Sequence, residues 1–257
     1  MASGLHHTEI KLSALSRFRH RMEAKFEKKL LPLLPHNLWT DRIYAKINFK
    51  RRLGYKLSLE QPETFNEKIQ WLKLYNRPSH LNVMADKLAV RTIVRDRIGE
   101  KYLTKLIGVY GSPDDIEFET LPKRFEMNCT HGSGWNILRD GKGDFDWERC
   151  KARLAAWCRT NYYKIGREWV YSNFAPRIIC EEYLTDFDGN IPRDYKFFCF
   201  HGEPRVVQVD YGRFQAHKRA MFGMNWNMLS FELQYPRPDT VDPQPPNFPE
   251  MIEIARH

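Results

Sequence analysis

The sequence predicts an α+β protein, helical in its first third and built from antiparallel hairpins after that. Two observations carry this. Up to Ile98, apolar residues recur at three- and four-residue spacing between helix caps. From Leu106 onward, short runs alternate at a spacing of two and are separated by Gly, Pro and Asp. At 257 residues the chain can form one large domain or two intimate ones. Its 42% hydrophobic and 28% charged content fits a packed core rather than disorder.

The first helix is expected over residues 9–34. Leu12, Leu15, Phe18, Met22, Phe26 and Leu30 form one stripe, and the other faces are basic. Such a helix can dock on its own domain or lie on an anionic membrane. Pro32 and Pro35 end it. A second helix, residues 38–54, stops at Gly54. Thr64 and Glu67 form a capping box for a helix through Ile69, Leu72 and Tyr75. The next runs from about Ala85 to Ile98, with Asp86 near its start and Gly99 closing it. Strands are expected at Leu106–Tyr110, Phe125–Thr130 and Trp135–Arg139. Asp146 caps a helix from Trp147 to about Tyr162. Arg177–Leu184 is a strand. Tyr195–Phe200 and Arg205–Asp210 form a hairpin over His201–Pro204. Six prolines make residues 236–249 an extended loop, and a helix begins at Met251.

A net charge of +9 favours an anionic partner: nucleotide, nucleic acid, lipid or sugar phosphate. The basic residues are scattered and match no nucleic-acid motif, so no nucleic-acid partner is expected. Cys129, Cys150, Cys158, Cys180 and Cys199 contain no CxxC pair, which reads as reduced thiols in a cytoplasmic protein. No apolar run approaches the ~20 residues of a membrane span. The N-terminus lacks an apolar signal core, so the expected location is the cytoplasm, with peripheral membrane contact through the basic helix.

Four stretches carry candidate chemistry. In NCTHGSGWN, residues 128–136, glycines flank Ser133 between two strands. The loop is either a plain hairpin turn or a nest of backbone N–H groups for an anion. It lacks the GK[ST] ending of a Walker loop. In ICEEYL an apolar strand ends on Glu181 and Glu182, which suit ribose or adenine contacts or simply solvent. In DYKFFCF, Lys196 shares a strand with aromatic neighbours and binds phosphate on one face or faces water on the other. Arg213, His217 and Arg219 gather within seven residues, as an anion site or a basic surface loop.

Taken in order, PETFNEKIQWLKLYNR, ADKLAVRTIV, LPKRF, HGSGWN, GREWVY, PRIICEEYL, DYKFFCFHGEP and RFQAHKR resemble the TupA-like ATP-grasp family of cell-surface polysaccharide and teichuronopeptide biosynthesis. These stretches lie between about residues 50 and 226. The resemblance implies two α+β lobes clamping ATP, preceded by a helical region. The expected division is residues 1–60, 61–180 and 181–257. It implies a phosphate loop of His131, Gly132, Ser133 and Gly134, with Lys87 as a further phosphate ligand. Glu181, Glu182, Tyr183 and Leu184 become the hinge that reads adenine. Asp188 or Asp194 becomes a ribose or substrate contact. Lys196, Arg213, His217 and Arg219 become the catalytic set facing the triphosphate or acceptor. ATP and Mg²⁺ are the implied cofactors, and a sugar-linked carboxylate or an amino acid the implied substrate. The implied reaction is a carboxylate–amine ligation through an acyl phosphate. Glycosyltransferase activity and a catalytically degenerate scaffold are the alternatives.

Two departures from the family pattern stand out. The strand before the loop reads FEMNCTHGSG where the family reads FVLKCNHGSG, so Asn128 occupies the lysine position and Glu126 an apolar one. The family continues past the position of His257 into strands with acidic metal ligands, so an incomplete second lobe with no assignable metal residues is expected.

Overall fold

Asn37 opens the first helix of the structure, a computed structural model that describes residues 34–172, 174–212 and 216–257. Apart from Leu34, the predicted helix over residues 9–34 lies outside these residues. Helix α1 (Leu38–Leu53) is capped when the Asn37 side chain accepts from Thr40 N at 3.0 Å, and Gly54 ends it with φ 81°. Helix α2 (Phe65–Tyr75) carries the expected capping box: Thr64 N donates to Glu67 Oε2 at 2.9 Å and Glu67 N to Thr64 Oγ1 at 3.3 Å. Ala45, Phe49, Leu57, Leu59 and Leu74 form the core between the two helices.

The predicted helix from Ala85 to Ile98 is broken. Helix α3 spans His80–Ala85, and α4 begins only at Val90 and runs to Ile98. Asp86 causes the break. Its backbone is extended, and its Oδ1 accepts from Leu88 N at 2.8 Å and Ala89 N at 3.2 Å. A short acid that bonds nearby N–H groups in this way competes with the helix.

Four strands build the first sheet: β1 (Leu106–Tyr110), β2 (Phe125–Cys129), β3 (Asn136–Arg139) and β4 (Ile178–Glu182). Their order is β1-β4-β2-β3, all antiparallel. One face buries Phe125, Met127, Cys129, Ile137, Ile178 and Cys180 against Leu154 of α5 (Trp147–Cys158). Asp146 caps α5, as expected. The helix stops at Cys158 rather than Tyr162, and a single turn, α6 (Tyr163–Gly166), follows. Thr160 Oγ1 bonds back to Ala156 O and Asn161 Oδ1 accepts from Tyr163 N, so side chains replace the helical ladder there.

The second sheet is a meander of β5 (Asp194–Phe200), β6 (Glu203–Tyr211) and β7 (Lys218–Gly223). The hairpin loop is two residues, not four: His201 (φ 53°) and Gly202 (φ 81°) both take the left-handed conformation that a tight hairpin turn requires. Strand β7 was not expected. Val207, Val209, Ala220 and Phe222 pack on Phe248 of α7 (Phe248–Arg256).

A buried ionic cluster ties α1 to α6. Asp41 accepts from Tyr163 Oη at 2.6 Å on both carboxylate oxygens and from Arg77 Nη2 at 2.8 Å. Arg167 Nη1 lies 3.6 Å from Asp41 Oδ1 and donates to Pro35 O at 3.1 Å and Thr40 Oγ1 at 3.2 Å.

Candidate functional site

Strand alternation gives each sheet one apolar face and one polar face. On the first sheet the polar face carries Glu126 and Asn128 of β2, Asn136 of β3 and Glu181 of β4. Glu126 is paired across to Glu181, and Asn128 to Asn136. Asn128 Nδ2 donates to Glu126 Oε1 at 3.1 Å, and Asn136 Nδ2 reaches the same oxygen at 3.4 Å. Glu181 pairs with Arg91 at 2.6 Å. Burial pushes the Glu181 carboxyl up, and Arg91 opposes this.

The glycine loop leaves this sheet between β2 and β3. Thr130 N still bonds to Arg177 O at 2.9 Å and so extends the β2–β4 ladder. Beyond it, the backbone N–H groups of His131, Gly132, Ser133 and Gly134 donate to no acceptor among the described residues. Gly134, with φ 72°, turns the chain in the left-handed region. The loop carbonyls, by contrast, are held. Lys87 Nζ donates to Cys129 O at 2.9 Å and to Gly132 O, and Lys87 N donates to Thr130 O at 3.3 Å. Burial pulls the Lys87 pKa down.

His131 turns away from the loop mouth. Its imidazole is buried, with Nε2 3.1 Å from Trp157 O and the ring edge-on to Trp135. Burial lowers its pKa, which favours neutral imidazole. Trp135 stacks on Trp157 and lies over Gly132, where an added Cβ would sit 2.9 Å from Trp135 Cδ2 and closer still to Cε3. Gly132→Ala is therefore expected to cost about 1–3 kcal/mol in a denaturant melt as Trp135 is displaced. A loss below about 0.5 kcal/mol would mean that Trp135 moves freely.

At the predicted hinge, Glu181 and Glu182 lie within β4, so the expected boundary at residues 180 and 181 falls inside this strand. Glu182 Oε1 accepts from Lys105 N at 3.0 Å. Tyr183 lies under the Arg124 guanidinium at 4.6 Å, and Leu184 is exposed.

The second sheet gathers Asp194, Lys196, His217 and Arg219 around a residue not singled out in the sequence, Asp210. Its carboxylate is buried. It accepts from Arg219 Nε at 2.6 Å, Gln208 Nε2 at 2.9 Å and Lys196 Nζ at 3.1 Å. Lys196 also bonds Asp194, its neighbour on the same face. His217 Nε2 lies 3.1 Å from Asp210 Oδ1, and its ring stacks on Tyr235 at 3.7 Å. Burial pushes the Asp210 carboxyl up, but hydrogen bonds from Arg219, Lys196 and Gln208, with His217 close by, outweigh it and hold the pKa below the ordinary carboxylate range. Arg213 lies outside the described residues. The alternative of a basic surface loop is corrected at Arg219, which sits in β7 and is 8% exposed. The clue to Asp210 was the run VVQVD, in which polar residues alternate with buried valines.

Magnesium takes oxygen ligands. The Asp210 oxygens already serve Arg219, Gln208 and Lys196. Among the described residues no three His, Cys, Asp or Glu side chains converge as metal ligands. No described helix is long and apolar enough to cross a membrane.

No curated protein and no solved structure matches the chain. A family model does match, that of TupA-like ATPgrasp, over residues 67–257. This span covers every helix and strand from β1 to α7, together with the loop and Asp210. The chain belongs to the TupA-like ATP-grasp family.

Proposed function

We propose that the glycine loop binds the phosphates of ATP and that the protein is an ATP-dependent carboxylate–amine ligase of cell-surface polysaccharide biosynthesis. The observation that supports this best is the run of four backbone N–H groups, His131 to Gly134, left without acceptors beside the Lys87 ammonium. Consecutive free amides form an anion nest. The family supplies the expectation of nucleotide binding. In the reaction, a carboxylate oxygen attacks the γ-phosphorus and ADP leaves with the bridging oxygen. An amine would then attack the acyl carbon, lose a proton to solvent and displace inorganic phosphate. The loop amides and Lys87 would neutralise phosphate charge and hold the attack in line. Lys196, His217 and Arg219 would orient the acceptor, with Asp210 fixing the two cations in place.

A degenerate, non-catalytic scaffold is the second reading, and one observation favours it. Asn128 puts a neutral amide where the family carries a cation, and that amide is bonded to Glu126. Losing a charge-assisted bond to phosphate costs about 1.5–3 kcal/mol. Thermal melting with ATP and magnesium separates the two readings. A working site raises the midpoint by mass action, equivalent to about 2.7 kcal/mol at a hundredfold excess over Kd. Asn128→Lys should tighten ATP binding by about tenfold or more. No shift at millimolar ATP in either protein sinks the nucleotide-binding proposal. A shift without ATP turnover favours the scaffold.

A further inference from the structure

A cavity of about 370 Å³ opens between α1, α2 and α6, and none of residues 128–136 or of the Asp210 cluster lines it. This lies within the roughly 300–1,000 Å³ range of small-molecule sites. Lys73 lines it. Its Nζ donates to Gly166 O at 2.6 Å, and no described carboxylate is within ion-pair distance. An ammonium has three donors, so two remain for a ligand. Burial pulls the Lys73 pKa down, and a bound anion would reverse that. Arg52, on the same wall, bonds Asn48 Oδ1 at 3.1 Å and likewise has no described acidic partner. Glu168 is the one acid in the lining, which leaves a surplus of one positive charge. The side-chain amides of Asn66 and Gln70 complete the polar wall, with no hydrogen-bond partner among the described residues. Tyr162 adds an aromatic ring that packs edge-on against Trp135 of the glycine loop at 4.9 Å.

We propose that this cavity binds a hydroxyl-bearing anion of monosaccharide size, a sugar acid or a sugar phosphate. Lys73 and Arg52 take the anionic group. Amides both donate and accept, as hydroxyls do, so Asn66 and Gln70 match a polyhydroxyl ring, and Glu168 accepts from a further hydroxyl. Tyr162 adds apolar ring carbon to the wall, where the C–H groups of a sugar would lie. The site does not depend on nucleotide binding at the glycine loop.

Calorimetric titration of the full chain with glucuronate, glucose 6-phosphate, glucose, inorganic phosphate and glutamate tests this. One of the two acidic sugars should bind, and which one does distinguishes carboxylate from phosphate. Glucose and inorganic phosphate should each bind about tenfold more weakly, because each lacks half of the recognised groups. Lys73→Met should weaken the acidic sugar about tenfold and leave any ATP-induced shift in melting unchanged. Because Lys73 also holds Gly166 O, the exposed Arg52→Gln serves as the second variant and should weaken the same ligand with unaltered melting. The proposal is overturned if neither acidic sugar binds, if inorganic phosphate binds as tightly as the sugars, if glutamate binds more tightly, or if both variants bind like the parent.

Discussion

Asp41→Ala should lower the free energy of unfolding by about 3–5 kcal/mol, because it leaves the buried Arg167 guanidinium without its carboxylate. Asp41 is 1% exposed and Arg167 also 1%, so water cannot replace the lost partner. Arg77 loses its 2.8 Å ion pair in the same step, and Tyr163 loses the acceptor of its hydroxyl. Arg167 stands at φ 52° and still reaches Pro35 O and Thr40 Oγ1, so the cluster fixes the entry of α1 against α6. Tyr163 provides a second readout. Burial, and then the bond to Asp41, push its pKa up to about 12. A raised tyrosine pKa contributes stability that is complete below the unfolded value of about 10 and is lost as pH rises towards 12. Ultraviolet titration should show a tyrosine ionising near 12 in the parent protein. In Asp41→Ala it should move towards 10, and in Tyr163→Phe it should vanish. A loss below about 1 kcal/mol in denaturant melts, with the titration unmoved, would show that the cluster is not coupled in solution.

The parts that could be read in the sequence are those fixed by neighbours in the chain. The Thr64–Glu67 box, the Asp146 cap and the stop at Gly54 each depend on residues at most four apart, and all are present. The strand expected from Phe125 is present, and its alternating Phe125, Met127 and Cys129 form the buried face of β2. What could not be read depends on register and on distant partners. Asp210 is central because Asp194 and Arg219 lie opposite it on the two flanking strands, and strand register is set by pairing across the sheet. Asp41 meets Tyr163 across 122 residues. Asp86 was legible as a helix-start residue, but its own bonding to Leu88 N and Ala89 N delays α4 to Val90. That same turn aims Lys87 at the loop carbonyls, a contact that no spacing rule would have shown.

Asp210→Asn is expected to cost a similar amount, about 3–5 kcal/mol at neutral pH, since Arg219 stays buried while its counter-charge is gone. An asparagine can accept on one atom only. Its amide N–H₂ would face Arg219, Gln208 or Lys196, all of them donors at this site. The pH dependence separates this charge effect from a packing effect. The Asp210 pKa is held down in the folded state, so the folded protein binds fewer protons here than the unfolded chain. The stabilisation is therefore complete above the unfolded carboxylate value of about 3.9 and fades as pH falls through the lower folded value. The gap between parent and Asp210→Asn should narrow below about pH 4. A gap unchanged at low pH would assign the loss to shape rather than charge. The double mutant Asp210→Asn, Arg219→Gln completes the test. Removing both partners should cost clearly less than the sum of the single losses, with an interaction energy of up to about 3 kcal/mol. Additive losses would mean that Arg219 is held in β7 by its neighbours and by Leu233 O, not by Asp210.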